Sequence, residues 1–314
     1  MQDSSRMSGE EGVAIVEELQ SAPSPPRPPL PAEEAAGEPA VTVIRRRPGW
    51  QLVDPRELWR YRELLFFLTW RDVKIRYKQS ALGVAWAVIQ PLANMAVFTL
   101  FIGRIAGLGG HGKHVYWLFV LVGFLPWTFF SNAIIAASGS VVGNERLVTR
   151  VYFPRLIIPF SAVGASLVDF VIAGVLLLFV LPFHPPTLGW GTLLIPLVMA
   201  LLVALATGVG TLLAALTVAY RDVRFLMTFA VQLWMLATPV IYLPAEQLGP
   251  RAQHVLPLNP VFGLIHAFRQ TVLEGALDAY GWYAFEVSGA ISLLLLAAGC
   301  LYFRRVERGF ADII

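Results

Sequence analysis

The chain has 314 residues, of which 56% are hydrophobic and only 14% are charged. A soluble domain of this length is nearer half apolar and a quarter charged, so the composition indicates a polytopic membrane protein. The single cysteine, Cys300, lies in an apolar run, which excludes a disulfide framework and a cysteine-based metal site. The basic residues cluster beside apolar runs, where membrane orientation explains the sequence pI near 9.1, and we expect no nucleic-acid partner.

The N-terminal part differs in composition from everything after it. Residues 1–48 carry eight of the 22 prolines and three acidic pairs, with no apolar run that could form a core. Such a segment is typical of a disordered tail, and it lacks the basic start and apolar core of a signal peptide.

The first predicted helix follows in the stretch "DPRELWRYRELLFFLTW". Asp54 is suited to the N-cap, Pro55 to the first helical position and Glu57 to the capping box. The uninterrupted apolar part, from Leu64 to Leu68, is far too short to span a membrane. We therefore predict that residues 49–80 form an amphipathic helix in the membrane interface, followed by a basic loop.

Six apolar runs are long enough to cross a bilayer, since a helix needs roughly 20 residues to cover ~30 Å. Between the fifth and sixth runs, residues 244–283 contain "VFGLIHAFRQTVLEG", a short helix too polar to cross. The fold class predicted is an all-α polytopic membrane protein with a permease domain over residues 81–303. The predicted spans are about 81–103, 115–137, 157–181, 193–219, 225–243 and 284–303.

The distribution of Lys and Arg predicts the orientation. With six spans, residues 45–80, the second and fourth loops and the tail 304–314 lie on one side and hold 18 of these residues. The opposite loops hold four. Positive charge marks the cytoplasm, so both termini are predicted to be cytoplasmic.

The stretch "GLGGHGKH", residues 107–114, resembles the start of a Walker A motif, but the predicted orientation argues against a nucleotide site there. The stretch lies in the first outer loop, where there is no ATP. His114 stands where Ser or Thr would hold magnesium, and no strand precedes it. We expect no nucleotide site here and no metal site at His111 and His114, whose glycine loop indicates solvated side chains.

Asp169 is the acidic residue that lies well inside a predicted span, ~18 Å along the third helix. An intramembrane carboxylate raises the question of proton coupling. With Ser166 beside it and no second titratable group in that span, a hydrogen-bonded packing residue is the favoured interpretation.

The basic run "RDVKIRYKQS" has a local charge of +3, from Arg71, Lys74, Arg76 and Lys78 against Asp72. In a helix Arg71, Lys74 and Lys78 share one face, whereas in an extended segment Lys74, Arg76 and Lys78 do. Either arrangement offers cationic donors at headgroup level to a phosphate or pyrophosphate. Simple positive-inside anchoring also explains the run, and the spacing alone favours it over phosphate binding.

Aromatic residues crowd the outer half of the second span and reappear near residue 242. Interface belts and helix packing explain them best, although aromatic faces also serve as platforms for sugars. The candidates for such a glycan channel are Trp117, Phe124, Trp127, Phe130 and Tyr242.

Five motifs, taken together, resemble the permease subunit of bacterial ABC exporters for polysaccharides, of the O-antigen or teichoic acid type. The resemblance runs from about residue 50 to residue 314, with the motifs in order. The motifs are "WRDVKIRYKQSALGVAWAVIQP" (70–91), "LVTRVYFPRLIIP" (147–159), "YRDVRF" (220–225), "QLWMLATPVIY" (232–242) and "LNPVFGLIHAFR" (258–269).

The resemblance implies an interfacial helix, six spans and short re-entrant helices before the last span. It also implies two copies forming a channel in the inner membrane, paired with two copies of a separate ATPase. ATP and magnesium would then bind to that partner, with no cofactor and no enzymatic activity on this chain. The implied substrate is an undecaprenyl-type lipid-linked glycan.

The resemblance also implies roles for two loops. The loop before the first span would lie near the lipid pyrophosphate, and the loop after the second span would contact the ATPase. The first set comprises Arg71, Lys74, Arg76, Tyr77 and Lys78. The second set comprises Asn144, Glu145, Arg146, Arg150 and Arg155.

Two other classes of function remain as alternatives. A proton-coupled secondary transporter would need several buried ionisable groups and internal repeats. An intramembrane glycan-modifying enzyme would need clustered Asp, Glu or His near one face, and the outer loops offer only scattered ones.

Overall fold

The computed structural model describes residues 55–78, 83–105, 115–151, 153–183, 189–239, 242–245 and 249–310. Every regular element within these residues is helical. The predicted tail 1–48 and the segment 107–114 lie outside them. The α-helices are α1 (Pro55–Arg60), α2 (Arg62–Lys78), α3 (Ala85–Phe98), α4 (Tyr116–Gly143), α5 (Glu145–Arg150), α6 (Ile157–Val180), α7 (Ile195–Ala219), α8 (Val223–Leu236), α9 (Pro250–Val255), α10 (Pro260–Leu273) and α11 (Ala279–Val306).

Five helical segments are long and apolar enough to cross a membrane, which confirms the all-helical polytopic fold class. Short turns of π or 3-10 helix extend three of these segments, beside α3, α6 and α7. The fifth predicted span corresponds to α8, an apolar helix of 14 residues. A total of six spans therefore stays a prediction. The five segments are Ala85–Arg104, Tyr116–Gly143, Ile157–Phe183, Trp190–Ala219 and Ala279–Val306.

The second span, α4, is the centre of the bundle. Within its most apolar window 78% of the residues are buried inside the protein, against 6% for the first span. α4 packs against α6, α7 and α10, whereas α3 covers one side and leaves most of its own surface exposed. α4 is therefore the buried central helix of the bundle, and the first span lies at its periphery.

Glycines set the separation of three of these helices. A Cβ on Gly208 of α7 would lie 2.5 Å from the backbone nitrogen of Leu296 in α11. A Cβ on Gly210 would lie 2.7 Å from the Cβ of Ala137 in α4. Small residues in α7 therefore bring it close to helices on two sides, as expected for packing within one subunit.

α2 accompanies the first half of α6. A Cβ on Gly164 would meet the Thr69 hydroxyl at 3.0 Å, and Arg76 near the end of α2 pairs with Asp169. Both helices thus advance in the same direction along their contact. α1 begins at Pro55, the position predicted for the helix start. The orientation of α1 and α2 in the membrane interface stays a prediction.

The segment before the last span contains the short helix predicted there. It appears as α10, and each of its residues is buried, including the charged Arg269. The Arg269 guanidinium carbon lies 3.5 Å from the ring centroid of Phe119, a cation–π contact that compensates part of its desolvation. Asn259, just before α10, accepts from the Trp234 indole at 3.0 Å and donates to the Thr238 hydroxyl at 2.9 Å.

We predict that Gly208→Ala destabilises the bundle whereas Gly174→Ala does not. The added methyl group at position 208 meets the α11 backbone, and such overpacking costs about 1–3 kcal/mol. A Cβ at position 174, also inside a span, has no atom within 4 Å, and alanine favours a helix. Thermal unfolding of the two purified variants in detergent measures the difference. Equal melting temperatures would contradict this account of the α7–α11 contact.

Candidate functional site

Asp169 forms an ion pair inside the third predicted span. Its carboxylate accepts hydrogen bonds from the Arg76 guanidinium and from the Tyr77 hydroxyl, both at the end of α2. The side chain of Asp169 is 16% exposed and that of Arg76 is 35% exposed. A lone carboxylate at this depth would be costly, so the pair explains how the span tolerates it. The interpretation of Asp169 as a hydrogen-bonded residue agrees with this geometry, and its partners come from the basic run.

The helical arrangement of the basic run is the one that the structure adopts. Because α2 remains helical to Lys78, Arg71, Lys74 and Lys78 share a face and Arg76 lies off it. That difference in direction lets Arg76 reach α6. Burial raises the pKa of Tyr77 above its usual value while Arg76 opposes the shift, so the phenol stays protonated and can donate.

A cavity of about 450 Å³ adjoins the ion pair, and we call it the polar cavity after the polar side chains in its otherwise apolar wall. Its wall combines the end of α2 with residues of α3, α4 and α6. Neither the Gln90 nor the Asn132 side chain has a hydrogen-bond partner among the residues that the structure describes. Neither residue is among the predicted site residues, although a polar residue inside an apolar run is a signal that the sequence contains. The polar and charged residues lining the cavity are Arg76, Tyr77, Gln90, Thr128, Asn132 and Asp169.

The other three cations of the basic run, Arg71, Lys74 and Lys78, do not line the cavity. Arg71 donates to the Asp72 carboxylate at 2.8 and 3.0 Å and to the side-chain oxygen of Asn144 at 2.8 Å. Lys74 and Lys78 are exposed, and in the described part of the chain neither forms an ion pair. Of the predicted phosphate-binding set, Arg76 and Tyr77 therefore line the cavity, whereas Lys74 and Lys78 are exposed on another face of α2.

A second depression, of about 630 Å³, lies at the turn between α4 and α6. Asn144, Glu145, Arg146 and Arg150 line it together with Arg71 of α2. The side chains of Glu145, Arg146 and Arg150 are exposed. We call this region, residues 144–150 with Arg71, the basic groove.

Arg155, the last residue of the predicted coupling set, does not line the basic groove. Its guanidinium donates to the backbone carbonyl of Glu307, just after α11. Its observed contact therefore ties the start of α6 to the C-terminal end of the last helix.

Three of the five candidate channel aromatics are buried inside the protomer. Phe124, Trp127 and Phe130 are 0%, 4% and 0% exposed. Phe124 packs edge-on against Phe98 at 4.8 Å between centroids, and Phe130 against Trp234 at 5.1 Å. These contacts favour packing for the three rings. Their role in a glycan channel stays a prediction, as does that of the half-buried Trp117 and Tyr242.

Within the described residues no group of three His, Cys, Asp or Glu could hold a metal ion. The candidate pair His111 and His114 lies outside these residues. The site that the structure offers is therefore the polar cavity, with the Arg76–Asp169 ion pair at its wall.

Comparison with known proteins gives a family match. Residues 63–273 match the family model described as ABC-2 type transporter. The chain is 30% identical over 261 residues to the O-antigen export system permease protein RfbA of Myxococcus xanthus, covering 82% of this chain and 98% of that protein. Two proteins of the same name from Klebsiella pneumoniae are 25% and 24% identical over 256 residues, covering 80% of this chain and 95% of each relative.

Proposed function

The chain belongs to the ABC-2 type transporter family, and from this premise we propose that it is the transmembrane subunit of an ABC exporter of lipid-linked, O-antigen-like polysaccharide. The observation that carries the proposal is the near end-to-end match to permeases named for O-antigen export, which reaches 98% of the M. xanthus protein. The pairing of Asp169 with Arg76 adds no support to a proton-coupled mechanism, because the carboxylate is already neutralised by a fixed cation.

In this proposal two copies of the chain form the channel in the bacterial inner membrane, and two copies of a separate ATPase bind ATP and magnesium. Both termini face the cytoplasm. The excess of Lys and Arg in the loops on that side supports the orientation. The family, which is a transporter membrane component, supports the division of labour between permease and ATPase.

The polar cavity would receive the phosphate end of the substrate. At the cavity wall Arg76 supplies a charged donor and Gln90 and Asn132 supply amide groups. Lys74 and Lys78 add two exposed cations on another face of the same helix. Charge-assisted hydrogen bonds of this kind recognise phosphoryl oxygens. Because the lipid tail must stay in the membrane, a cavity beside the exposed first span is a suitable place for the headgroup.

The basic groove would receive the ATPase. It is bounded by two spans, and Arg71 connects it through Asn144 to the helix that carries Arg76. A displacement of α5 would therefore act on α2 as well as on α4 and α6. This connection supports a direct mechanical path between the ATPase surface and the polar cavity.

We predict that the purified chain alone hydrolyses no ATP and forms a stable 2:2 complex when it is co-expressed with its ATPase. The chain should also restore surface glycan in a strain that lacks its permease, but only together with that ATPase. Mass photometry, an ATPase assay and surface staining measure the three outcomes. Robust hydrolysis by the chain alone would refute the proposed division of labour.

Charge reversal of the basic groove should weaken coupling to the ATPase. Arg146→Glu with Arg150→Glu changes two exposed side chains without an ion pair in the described part of the chain, so the protomer should still fold. We expect a lower coupled ATPase rate or a lower yield of complex. Arg221→Glu, an exposed cation in the other cytoplasmic loop, is the matched control. Equal effects at the two loops would contradict a specific role for the groove.

Neutralising Lys74 or Lys78 should weaken substrate binding while the orientation holds. A charge-assisted contact to phosphate contributes roughly 1.5–3 kcal/mol, so each loss should weaken binding by about one to two powers of ten. These lysines test the role more cleanly than Arg76, whose removal would leave Asp169 without its cation. Surface glycan and loop accessibility from each side are measured for Lys74→Gln, Lys78→Gln and the charge-retaining Lys74→Arg. Normal export in both neutral variants would indicate that the basic run only anchors the chain in the membrane and does not bind the substrate.

A further inference from the structure

An apolar slot lies on the side of α6 that faces away from the polar cavity. It encloses a volume of about 650 Å³, and its wall comes from α6, α7 and α11, with Leu65 of α2 at one edge. We propose that this apolar slot binds an acyl chain of a bilayer phospholipid with an anionic headgroup. The proposal goes beyond the function proposed above, because it concerns a lipid that is not transported.

The apolar slot exists because two helices share a neighbour without closing over it. α6 and α11 both pack against α7, but in the described part of the chain they make no extensive contact with each other. Small residues widen the remaining gap, since Gly164 lines it on α6, Ala204 on α7 and Ala297 on α11. The lining residues recur every three or four positions on each helix, so the slot runs along the helix axes. From Leu293 to Leu301 it extends about 12 Å.

The wall of the apolar slot suits a hydrocarbon chain. Its side chains are apolar except for those of Thr207 and Cys300. The Thr207 hydroxyl donates to the Val203 carbonyl at 2.7 Å, so it requires no hydrogen bond from a ligand. Ala200 and Ala297 are exposed within their spans, so the slot is open to the membrane. An extended chain along the helix axes contacts all three helices at once, and dispersion contacts of this kind add up.

Positive charge lies beyond one end of the apolar slot, towards the start of α6 and the end of α11. Arg304 follows Cys300 by one turn of α11 and is close enough to act electrostatically on its thiol. Arg155 precedes α6 and donates to the backbone carbonyl of Glu307, a neutral acceptor that leaves the guanidinium charge in place. An apolar slot with cations beyond one end matches an amphipathic ligand with an anionic headgroup.

A second copy of the chain fits this slot less well. In one membrane both copies have the same orientation, and the predicted cytoplasmic side holds 18 Lys and Arg residues against four in the opposite loops. A second copy would therefore bring further positive charge towards Arg155 and Arg304, and like charges at an interface are unfavourable.

The chain of the exported lipid also fits less well. Phe160 lines the apolar slot and Asp169 lines the polar cavity. The nine residues between them are two and a half turns of α6, so the two side chains leave the helix in opposite directions. A lipid whose headgroup lies in the polar cavity is therefore separated from the slot by α6, and the occupant is a different lipid.

The test uses the full-length permease with its ATPase in phosphatidylcholine nanodiscs. The probe is phosphatidylglycerol that carries a photoreactive diazirine in its acyl chain, and peptide mass spectrometry identifies the cross-linked residues. We expect saturable labelling that is concentrated on the slot, for example at Leu167, Val203 and Leu296, and that excess unlabelled phosphatidylglycerol removes. A phosphatidylcholine probe with the same diazirine should label the slot less, and equal labelling would overturn the assignment to an anionic lipid.

Filling the apolar slot should exclude the chain. Ala297→Phe places a ring in the slot and should lower the affinity for the probe at least about tenfold, because excluding two methylene groups already has an effect of that size. Ala298→Phe adds the same ring at the adjacent exposed residue, which does not line the slot, and should leave the labelling unchanged. Ala200→Phe fills the slot from α7 and decides the matter if the α11 variant does not fold.

Thermal stability gives an independent measurement. A ligand that binds only the folded protein stabilises it, so adding phosphatidylglycerol to the delipidated complex should raise the melting temperature of the wild type and of Ala298→Phe. The increase should be lost in Ala297→Phe and in Ala200→Phe. Equal increases in all four proteins would contradict a lipid site in the slot.

Three outcomes would overturn the inference. Labelling that is spread evenly over the exposed surfaces of the spans and is unchanged in Ala297→Phe would show only bulk lipid. Displacement of the probe by polyprenyl monophosphate would assign the slot to the exported lipid. Loss of the 2:2 complex in Ala297→Phe, but not in Ala298→Phe, would assign it to a contact between copies. A failure of the proposed export function would instead appear in the ATPase and surface-glycan measurements and would leave the labelling of the slot as expected.

Discussion

A charge inside a membrane span has to be neutralised by a partner at the same depth. This constraint determines how α2 packs beside the polar cavity. Asp169 is placed along α6 by the sequence of that span, so its cation must come from a neighbouring element. α2 supplies Arg76 and Tyr77 only because it packs along α6 as far as this residue. The ion pair thus fixes the end of the basic run at the wall of the polar cavity.

The rest of the bundle divides into a packed part and a peripheral part. α4, α7, α10 and α11 pack closely, with glycines that admit neighbouring backbones and a short helix buried on all sides. α2 and α3 instead lie at the edge, with large exposed apolar side chains such as Phe66 and Phe101. The polar cavity lies between the two parts. A site at such a boundary can change shape through its peripheral wall while the packed wall stays fixed.

Hydropathy predicted most of the fold because membrane spans depend on local composition. The fifth span is the informative exception. α8 ends at Leu236, and Pro239 cannot donate a backbone hydrogen bond to continue it, while Thr238 and Asn259 form a separate polar network. The Arg76–Asp169 pair joins residues 93 positions apart, and no periodic pattern reports such a contact. The charge and the approximate depth of each residue could be predicted from the sequence. Their pairing could not, because it depends on how α2 packs against α6.

The two candidate sites depend on the same helix. Arg71 contacts Asn144 in the basic groove, and Arg76 lines the polar cavity, five residues further along α2. Five residues of α-helix span about 7.5 Å, so the two contacts lie little more than one turn apart on the same helix. Under the proposed function, a movement of the groove would therefore act through α2 on the contact between Arg76 and Asp169. α2 would then connect the groove proposed to receive the ATPase with the cavity proposed to receive the phosphate group, because it contributes an arginine to each.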